Sequence, residues 1–243
     1  MAEPLLAEHV RGKGRMYRHP GSGEYIPSVT NVIGALDKPA LPRWAAIETA
    51  KAAWRMREAV THLDEQGAVD LLKGSPWHRR DQRADVGTAV HAGIEALIED
   101  RRLPAFRPEE TPYVEAALQF LSDHDVRPLL TEVTVLTDEY AGTFDLYAEI
   151  GRVKAILDWK TSKGVYDEVA LQLAALGDAA HWHVDGALTP AGKWERLIAV
   201  HLKPDGSYQL HEVVDYASSV EGFHGLLAAW RWQQARVLAK VGS

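Results

Sequence analysis

Two strand-like runs, residues 142–150 and 153–160, are separated by Gly151 and Arg152 alone. Glycine at the first central position suits a two-residue type II′ hairpin turn, because that position needs a positive φ. Such a turn sets the register. Ile150 faces Val153, Ala148 faces Ala155 and Leu146 faces Leu157. Phe144, Leu146, Ala148 and Ile150 then share one apolar face with Val153, Ala155, Leu157 and Trp159. On the other face Glu149 meets Lys154, and Asp145 falls opposite Asp158. Residues paired this way have Cβ atoms roughly 4.5–5.5 Å apart, where like charges are destabilising. A fold keeps two facing carboxylates when something positive sits between them. Lys160 points to the same face, two residues after Asp158. Two carboxylates and a lysine on one sheet face outline a metal-dependent, phosphodiester-cutting site.

A chain of 243 residues buries a full core, as one domain with embellishments or one domain plus a helical subdomain. It has no cysteine, which excludes disulfides, thiolate zinc sites and cysteine-ligated iron–sulfur clusters. No apolar run approaches the ~20 residues that span a bilayer, and no signal-peptide core is visible, so the expectation is an intracellular, cytoplasmic protein without a membrane. The net charge of -7 argues against a protein that merely coats nucleic acid, but not against an enzyme gripping a short stretch of backbone. Basic clusters stand at Arg11, Lys13, Arg15 and Arg18, at Arg79, Arg80 and Arg83, and at Lys160 and Lys163. The plain alternative for each is a solvated face.

Along the chain, extended candidates lie on either side of Pro20-Gly21-Ser22-Gly23. Ser28 reads as the N-cap of a short helix ending near Gly34. A longer helix is predicted over 42–60, pieces of helix over 61–83 with breaks at Gly67 and at Gly74-Ser75-Pro76, and another helix from Asp85 to about Asp100. Thr111-Pro112 opens a helix to about His124. Residues 129–137 alternate as a strand, and the hairpin follows. A helix is expected from Asp167 to about Ala180, a second hairpin around Pro204-Asp205-Gly206, and a final helix from Ser218 or Ser219 to about Lys240. The order of helices, three strands, helix, two strands, helix implies an α/β sandwich-like core with a helical N-terminal region.

Three further residues bear on the site. If Asp138 to Ala141 forms the loop before the hairpin, Thr137 pairs with Gly142, and Glu132 faces Tyr147 on the Asp145 side of the sheet. A bulge there reverses its direction, and the plain alternative is a solvent-facing edge glutamate. His91 follows Gly87 by one helical turn, a spacing that permits close backbone approach, and a neutral imidazole is a good metal ligand. Gln172 interrupts an apolar helix stretch, so its amide needs partners. Taken singly, each is more ordinary as core or surface polarity.

Taken in order, His91 in a Gly-x-x-x-His helix, Glu132, Gly142-Thr143-Phe144-Asp145, Asp158-Trp159-Lys160-Thr161 and Gln172 resemble the RecB-like branch of the PD-(D/E)xK nuclease superfamily. Pro27-Ser28-Val29-Thr30-Asn31-Val32-Ile33, with Leu41 and Trp44, is similar to phage and mitochondrial genome maintenance exonuclease members. The resemblance implies a restriction-endonuclease-like core, with a central mixed sheet flanked by helices, over 85–243, and an N-terminal segment and helical lid or channel over 1–84. It implies a divalent-metal-dependent deoxyribonuclease, an exonuclease rather than an endonuclease, acting on single-stranded DNA with a free end in recombination, repair or phage DNA metabolism, beside a recombination partner protein. His91, Asp145, Asp158 and the Trp159 backbone carbonyl would hold Mg²⁺ or Mn²⁺, with Glu132 at the metal or one layer behind it. Lys160 would orient the attacking water, and Gln172 would shape the site. Arg79, Arg80, Arg83, Thr161, Lys163 and Tyr166 are the expected DNA contacts. Many members carry a tyrosine four residues after the glutamine. Here that position is Leu176, and Tyr166 is the candidate substitute. Many members also carry an iron–sulfur cluster, which a cysteine-free chain cannot.

Elementary chemistry agrees. Phosphodiester hydrolysis needs charge neutralisation, an activated water and help for the leaving oxygen, all of which divalent ions supply. Carboxylates suit Mg²⁺ or Mn²⁺, and one imidazole favours Mn²⁺. Trp44, Trp54 and Trp77 are either base-stacking surfaces or helix-packing anchors. Two other functions fit the same residues: a nuclease-like DNA-binding subunit with little or no activity, and a metal-dependent hydrolase of small phosphoesters.

Overall fold

The structure, a computed structural model, describes residues 4–235, and of residues 78–83 the backbone alone. In chain order it runs β1 Glu8–Val10, β2 Gly14–Arg18, β3 Tyr25–Pro27, α1 Val29–Ile33, α2 Ala40–Arg55, α3 Arg57–Thr61, α4 Glu65–Lys73, α5 Ser75–Ile98 and α6 Thr111–Asp123. Then come β4 Val126–Leu136, β5 Ala141–Ile150, β6 Val153–Lys160, α7 Glu168–Asp178, β7 His181–Val184, β8 Ala187–Pro190, β9 Arg196–Leu202, β10 Tyr208–Glu212 and α8 Tyr216–Gln234. The fold is mixed α/β. Among the described residues no helix is long and apolar enough to cross a membrane.

The chain divides into two compact units, one made of the residues up to Leu36 together with those from Val90 onward, the other of Asp37–Ala89. The smaller unit is helical. Asp64 caps α4 by accepting the Gly67 N–H at 2.8 Å, so Gly67 lies within the helix rather than breaking it. The break expected at Gly74 is present, as the C-cap of α4, and Ser75-Pro76 opens α5, since proline is tolerated in a first turn. The helix expected from Asp85 therefore begins ten residues earlier.

The larger unit is built on a seven-stranded mixed sheet in the order β10-β9-β6-β5-β4-β7-β8, beside a three-stranded antiparallel sheet β1-β2-β3. β6 and β9 run parallel and every other neighbouring pair antiparallel. Three strands, β1, β7 and β8, have no counterpart among the strands expected from the sequence. β7 and β8 join through Asp185 and Gly186, with φ of 51° and 78°. An Asp-Gly pair with both residues left-handed is the signature of a type I′ hairpin, so the signal was in the sequence.

The β5–β6 hairpin follows its expected register from Ile150/Val153 to Leu146/Leu157, with Gly151 at φ 63°. Beyond that pair the strands part, while β6 stays bonded to β9 as far as Lys160/His201. The expected single apolar face does not survive this point. Phe144 and Tyr147 are three residues apart and both join one core cluster, with Ile156 and with Leu173 and Leu176 of α7. Regular alternation puts residues three apart on opposite faces. Trp159 instead meets Phe120 of α6, ring to ring at 5.8 Å. Glu149 stands opposite Lys154 as expected, but its carboxylate pairs with Arg127 at 2.7 Å.

The β4–β5 loop is Thr137 to Tyr140, one residue earlier than expected. The Thr137 hydroxyl accepts the N–H groups of Glu139 and Tyr140, both at 3.0 Å, and this local turn competes with continued pairing. Tyr140 is wholly buried and donates its hydroxyl to the Ala175 carbonyl. As a result Val135, not Thr137, pairs with Gly142, and Leu130 rather than Glu132 faces Tyr147.

Candidate active site

The parting of β5 and β6 places Asp145 and Asp158 at a fork in the sheet. Beyond the last pair, the Trp159 N–H donates to the Asp145 side chain (Oδ2) at 2.6 Å. The other oxygen of Asp145 lies 3.2 Å from His91 Nδ1 on α5. Asp158, on β6, is held differently. Its Oδ1 accepts from the Gln172 amide at 2.9 Å, and its buried Oδ2 lies against the Lys160 ammonium without hydrogen-bond geometry. Lys160 also donates to Gln172 Oε1 at 2.9 Å. Gln172 therefore donates to the acid and accepts from the base, which accounts for a polar residue in an otherwise apolar stretch of α7. The two aspartates do not share one cation, as the hairpin register suggested. Asp145 takes His91 and Asp158 takes Lys160.

Glu132 reaches the same place from β4. The two-residue change of register sets it between the pairs Thr131/Leu146 and Val133/Phe144, level with Asp145. An even displacement keeps parity, so the expected proximity to Asp145 holds although the expected partner does not. Glu132 has φ 48°, a left-handed conformation that costs a side-chain-bearing residue about 1–2 kcal/mol. Ligand atoms of His91, Glu132 and Asp145 all lie within 4.8 Å of one another, and this group is able to hold a metal ion. The donor set fits one: an imidazole nitrogen and two carboxylate oxygens, beside a buried Asp158 oxygen with no hydrogen bond. Asp158 is not a member of that group. With no cysteine in the chain, no cysteine-ligated iron–sulfur cluster is available to it.

The electrostatics are those of buried acids crowded together. Burial, reinforced by the charge of Asp145, pushes the Glu132 carboxyl up to about 8. Burial acts to lower the His91 pKa, but the charge and hydrogen bond of Asp145 outweigh it and carry His91 up to about 9. Asp145 is raised by burial and lowered by more through His91 and the Trp159 N–H, ending below the usual carboxylate range. Asp158 ends above that range, because burial and then Asp145 oppose what Lys160 contributes. Burial also works against the Lys160 charge, but Asp158 holds its pKa above the ordinary value. Lys160 is thus a cation at neutral pH and not a proton acceptor.

Three neighbours had no place in the sequence reading. Glu95, on α5, and Glu99, one residue past its end, follow His91 at intervals of four, a spacing that sets them along one helix face. Arg101 binds Glu95 at 2.6 Å and Glu99 at 2.8 Å, and Glu99 also accepts from the Thr131 hydroxyl. Burial raises the Glu95 pKa, with Arg101 opposing and Glu99 and Asp145 adding. A close approach on α5 occurs at Gly93, where a Cβ would stand 2.3 Å from the Phe106 ring.

Of the expected DNA contacts, Thr161, Lys163 and Tyr166 lie in the segment between β6 and α7. Lys163 is exposed and Tyr166 is 63% exposed. That segment is tied down by Ser162, whose hydroxyl donates to the Gly164 carbonyl and whose own carbonyl lies 2.7 Å from His201 Nε2. The side chains of Arg79, Arg80 and Arg83 lie outside the described residues. Leu176 is buried in the core and lies where a Cβ on Gly142 would meet it at 2.6 Å, so this position serves packing.

Neither a protein-family model nor a curated protein matches the chain. Among solved structures, one of SSO0001 aligns over 52% of this chain and 60% of its own, at 16% identity and a TM-score of 0.29. The chain thus spans less than two thirds of that protein, and a likeness this small carries no argument about fold or function.

Proposed function

We propose that this protein is a divalent-metal-dependent nuclease that hydrolyses phosphodiester bonds of DNA, from a free end of a single strand. The observation that carries the reading is the meeting of His91, Glu132 and Asp145 beside the Asp158–Gln172–Lys160 triad at the fork between β5 and β6. The ordered motifs from His91 to Gln172 support it through their resemblance to RecB-like nucleases.

The residues divide the work. His91, Glu132 and Asp145 are the proposed ligands, and Mg²⁺ or Mn²⁺ bound there would neutralise phosphate charge and acidify a water. Lys160 stays charged beside Asp158. It orients the attacking water and stabilises the negative charge that builds on the phosphoryl oxygens. Gln172 holds the Lys160 and Asp158 side chains in register, so neither has to reorganise during the step. In the reaction a water oxygen bonds to phosphorus, the bond to the leaving sugar oxygen breaks, and the water's proton ends on solvent or on that oxygen.

The test is incubation with end-labelled single- and double-stranded DNA, with Mg²⁺, Mn²⁺ or chelator, beside nucleotide monoesters. Metal-dependent shortening of linear single strands, with circular single strands spared, is the expected result. Turnover of the monoesters in place of DNA would make the protein a small-phosphoester hydrolase. Binding of DNA without cleavage in any metal would make it a nuclease-like binding subunit.

A further inference from the structure

The three tryptophans of the helical unit have different surroundings. Trp44 and Trp77 pack edge to face with ring centroids 6.3 Å apart. Trp54, near the end of α2, is 72% exposed, and the Arg57 guanidinium lies over its ring at 5.3 Å from the centroid. Arg57 is fixed there by donating to the Trp54 carbonyl at 3.2 Å. A large aromatic ring left in water is unusual for a helix whose opposite side, at Glu48 and Ala52, is buried.

The rest of that face has a consistent character. Arg43, Ile47, Ala50 and Trp54 recur at intervals of four, three and four, which places them on one stripe of α2, and all are exposed. Arg55 is exposed on its flank, and Lys51 caps the buried Glu48 at 2.9 Å. Residues 40–58 hold four cations, Arg43, Lys51, Arg55 and Arg57, against two carboxylates, Glu48 and Glu58, the latter 3.9 Å from Arg57, in a protein whose net charge is -7. An apolar stripe alone fits many partners. A stripe with an exposed indole, an arginine already stacked on it and cations on both sides is complementary to a polyanion that offers flat, unpaired rings.

We infer that the exposed face of α2 binds single-stranded nucleic acid, with a base stacking on Trp54 and phosphates meeting Arg43, Arg55 and Arg57. Duplexes keep their bases inside, so this surface selects unpaired strands. Its biological sense rests on the nuclease reading, but its test does not, because strand binding is measured with all metal chelated.

Fluorescence anisotropy of a labelled thymidine 20-mer, with full-length protein in chelator, reads the affinity. Trp54→Ala is expected to weaken binding about 5- to 150-fold, the range for losing one stacked base. Trp54→Phe keeps a ring and should recover most of the affinity. Trp54→Leu keeps apolar bulk without a π face and should not. The double variant Arg43→Gln/Arg55→Gln should flatten the salt dependence by ~0.7 in log–log slope for each phosphate that is no longer neutralised. Binding of a blunt duplex of the same length should not change on Trp54→Ala. The inference is overturned by wild-type affinity in Trp54→Ala or Trp54→Leu, by an equal loss on the duplex, or by no single-strand binding in the wild type. Trp54-dependent binding with no cleavage in any metal would leave it standing and refute the nuclease reading instead.

Discussion

Strands β5 and β6 meet through a two-residue turn, and their pairing runs unbroken from Ile150/Val153 to Leu146/Leu157. Strands β4 and β5 meet through a four-residue loop, and their pairing carries a register shift between Pro128 and Leu130 and a left-handed residue at Glu132. Both routes deliver a carboxylate to the same few ångströms, but by different means. A short turn with one required glycine leaves the backbone one geometry, so the pairing as far as Leu146/Leu157 follows by counting, and the two aspartates lie just beyond it. A longer loop has several ways to close, and here Thr137 chooses through its side-chain hydrogen bonds. Glu132 then arrives under strain and deprotonates against burial. Asp145, Asp158 and Lys160 thus belong to a rigid frame, whereas Glu132 is a member held in place at a local cost.

The largest expected effect tests the frame. Lys160→Ala and Asp158→Ala should each reduce metal-dependent DNA cleavage about 100- to 1,000-fold, the loss expected when a group that stabilises transition-state charge is removed, while circular dichroism shows a folded protein. Near-wild-type cleavage by either would remove the Asp158–Gln172–Lys160 arrangement from the chemistry.

Metal linkage is the next largest. Mn²⁺ at a hundred times its dissociation constant should stabilise the wild type by about 2.7 kcal/mol, seen as a rise in melting temperature. Glu132→Gln and Asp145→Asn should each lose most of that gain. If Glu132→Gln keeps all of it while Asp145→Asn does not, Glu132 is a neighbour of the metal and not a ligand.

The pH dependence of the chelated protein follows from the same crowding. His91 is raised to about 9, so the stability it contributes is fully present below its unfolded value near 6.5 and is lost as pH rises to about 9. Glu132 is raised to about 8, so the folded state keeps a proton that the unfolded state has released, and stability again falls as pH rises from about 4.5 to 8. Both act in one direction. The melting temperature in chelator should therefore drop between pH 6.5 and 9, and Glu132→Gln should lessen the drop between 6.5 and 8. A flat profile would mean that these groups are more hydrated than the fork geometry implies.

The smallest effect isolates the strain. Glycine adopts a positive φ freely, so Glu132→Gly should be more stable than Glu132→Ala by about 1 kcal/mol in chelator, the reverse of the usual order in strands. Equal melting temperatures would place Glu132 in an ordinary extended conformation and return β4 to the regularity of the hairpin.

Much of this site was legible as sequence. Gly151 announced the turn, the apolar alternation set the pairing, and the acids followed in position. Gln172 stood out because an amide in an apolar helix has to find partners. Other signals stand in the sequence as well: Asp185-Gly186 marks a hairpin, and the spacing of His91, Glu95 and Glu99 marks one helix face. The β4 register was not legible, because two closures of the same loop differ by where a threonine hydroxyl bonds, and both satisfy the alternation.

By itself, then, the sequence determined how β5 pairs with β6 as far as Leu146/Leu157, that a short turn falls at Gly151, that cysteine chemistry is excluded, and that carboxylates gather near a lysine. Those properties depend on neighbours along the chain and on periods of 2 and 3.6 residues. Only the tertiary structure decided which cation each aspartate takes, that β5 and β6 part at the site, that Glu132 sits beside Asp145 in a left-handed conformation, and that Trp54 faces water under an arginine. Each of these is a contest between partners distant in sequence, or between one residue's strain and another's pairing. Such contests are resolved by packing in three dimensions, where the burial of Phe144, Tyr140 and Leu176 leaves each polar group one place to go.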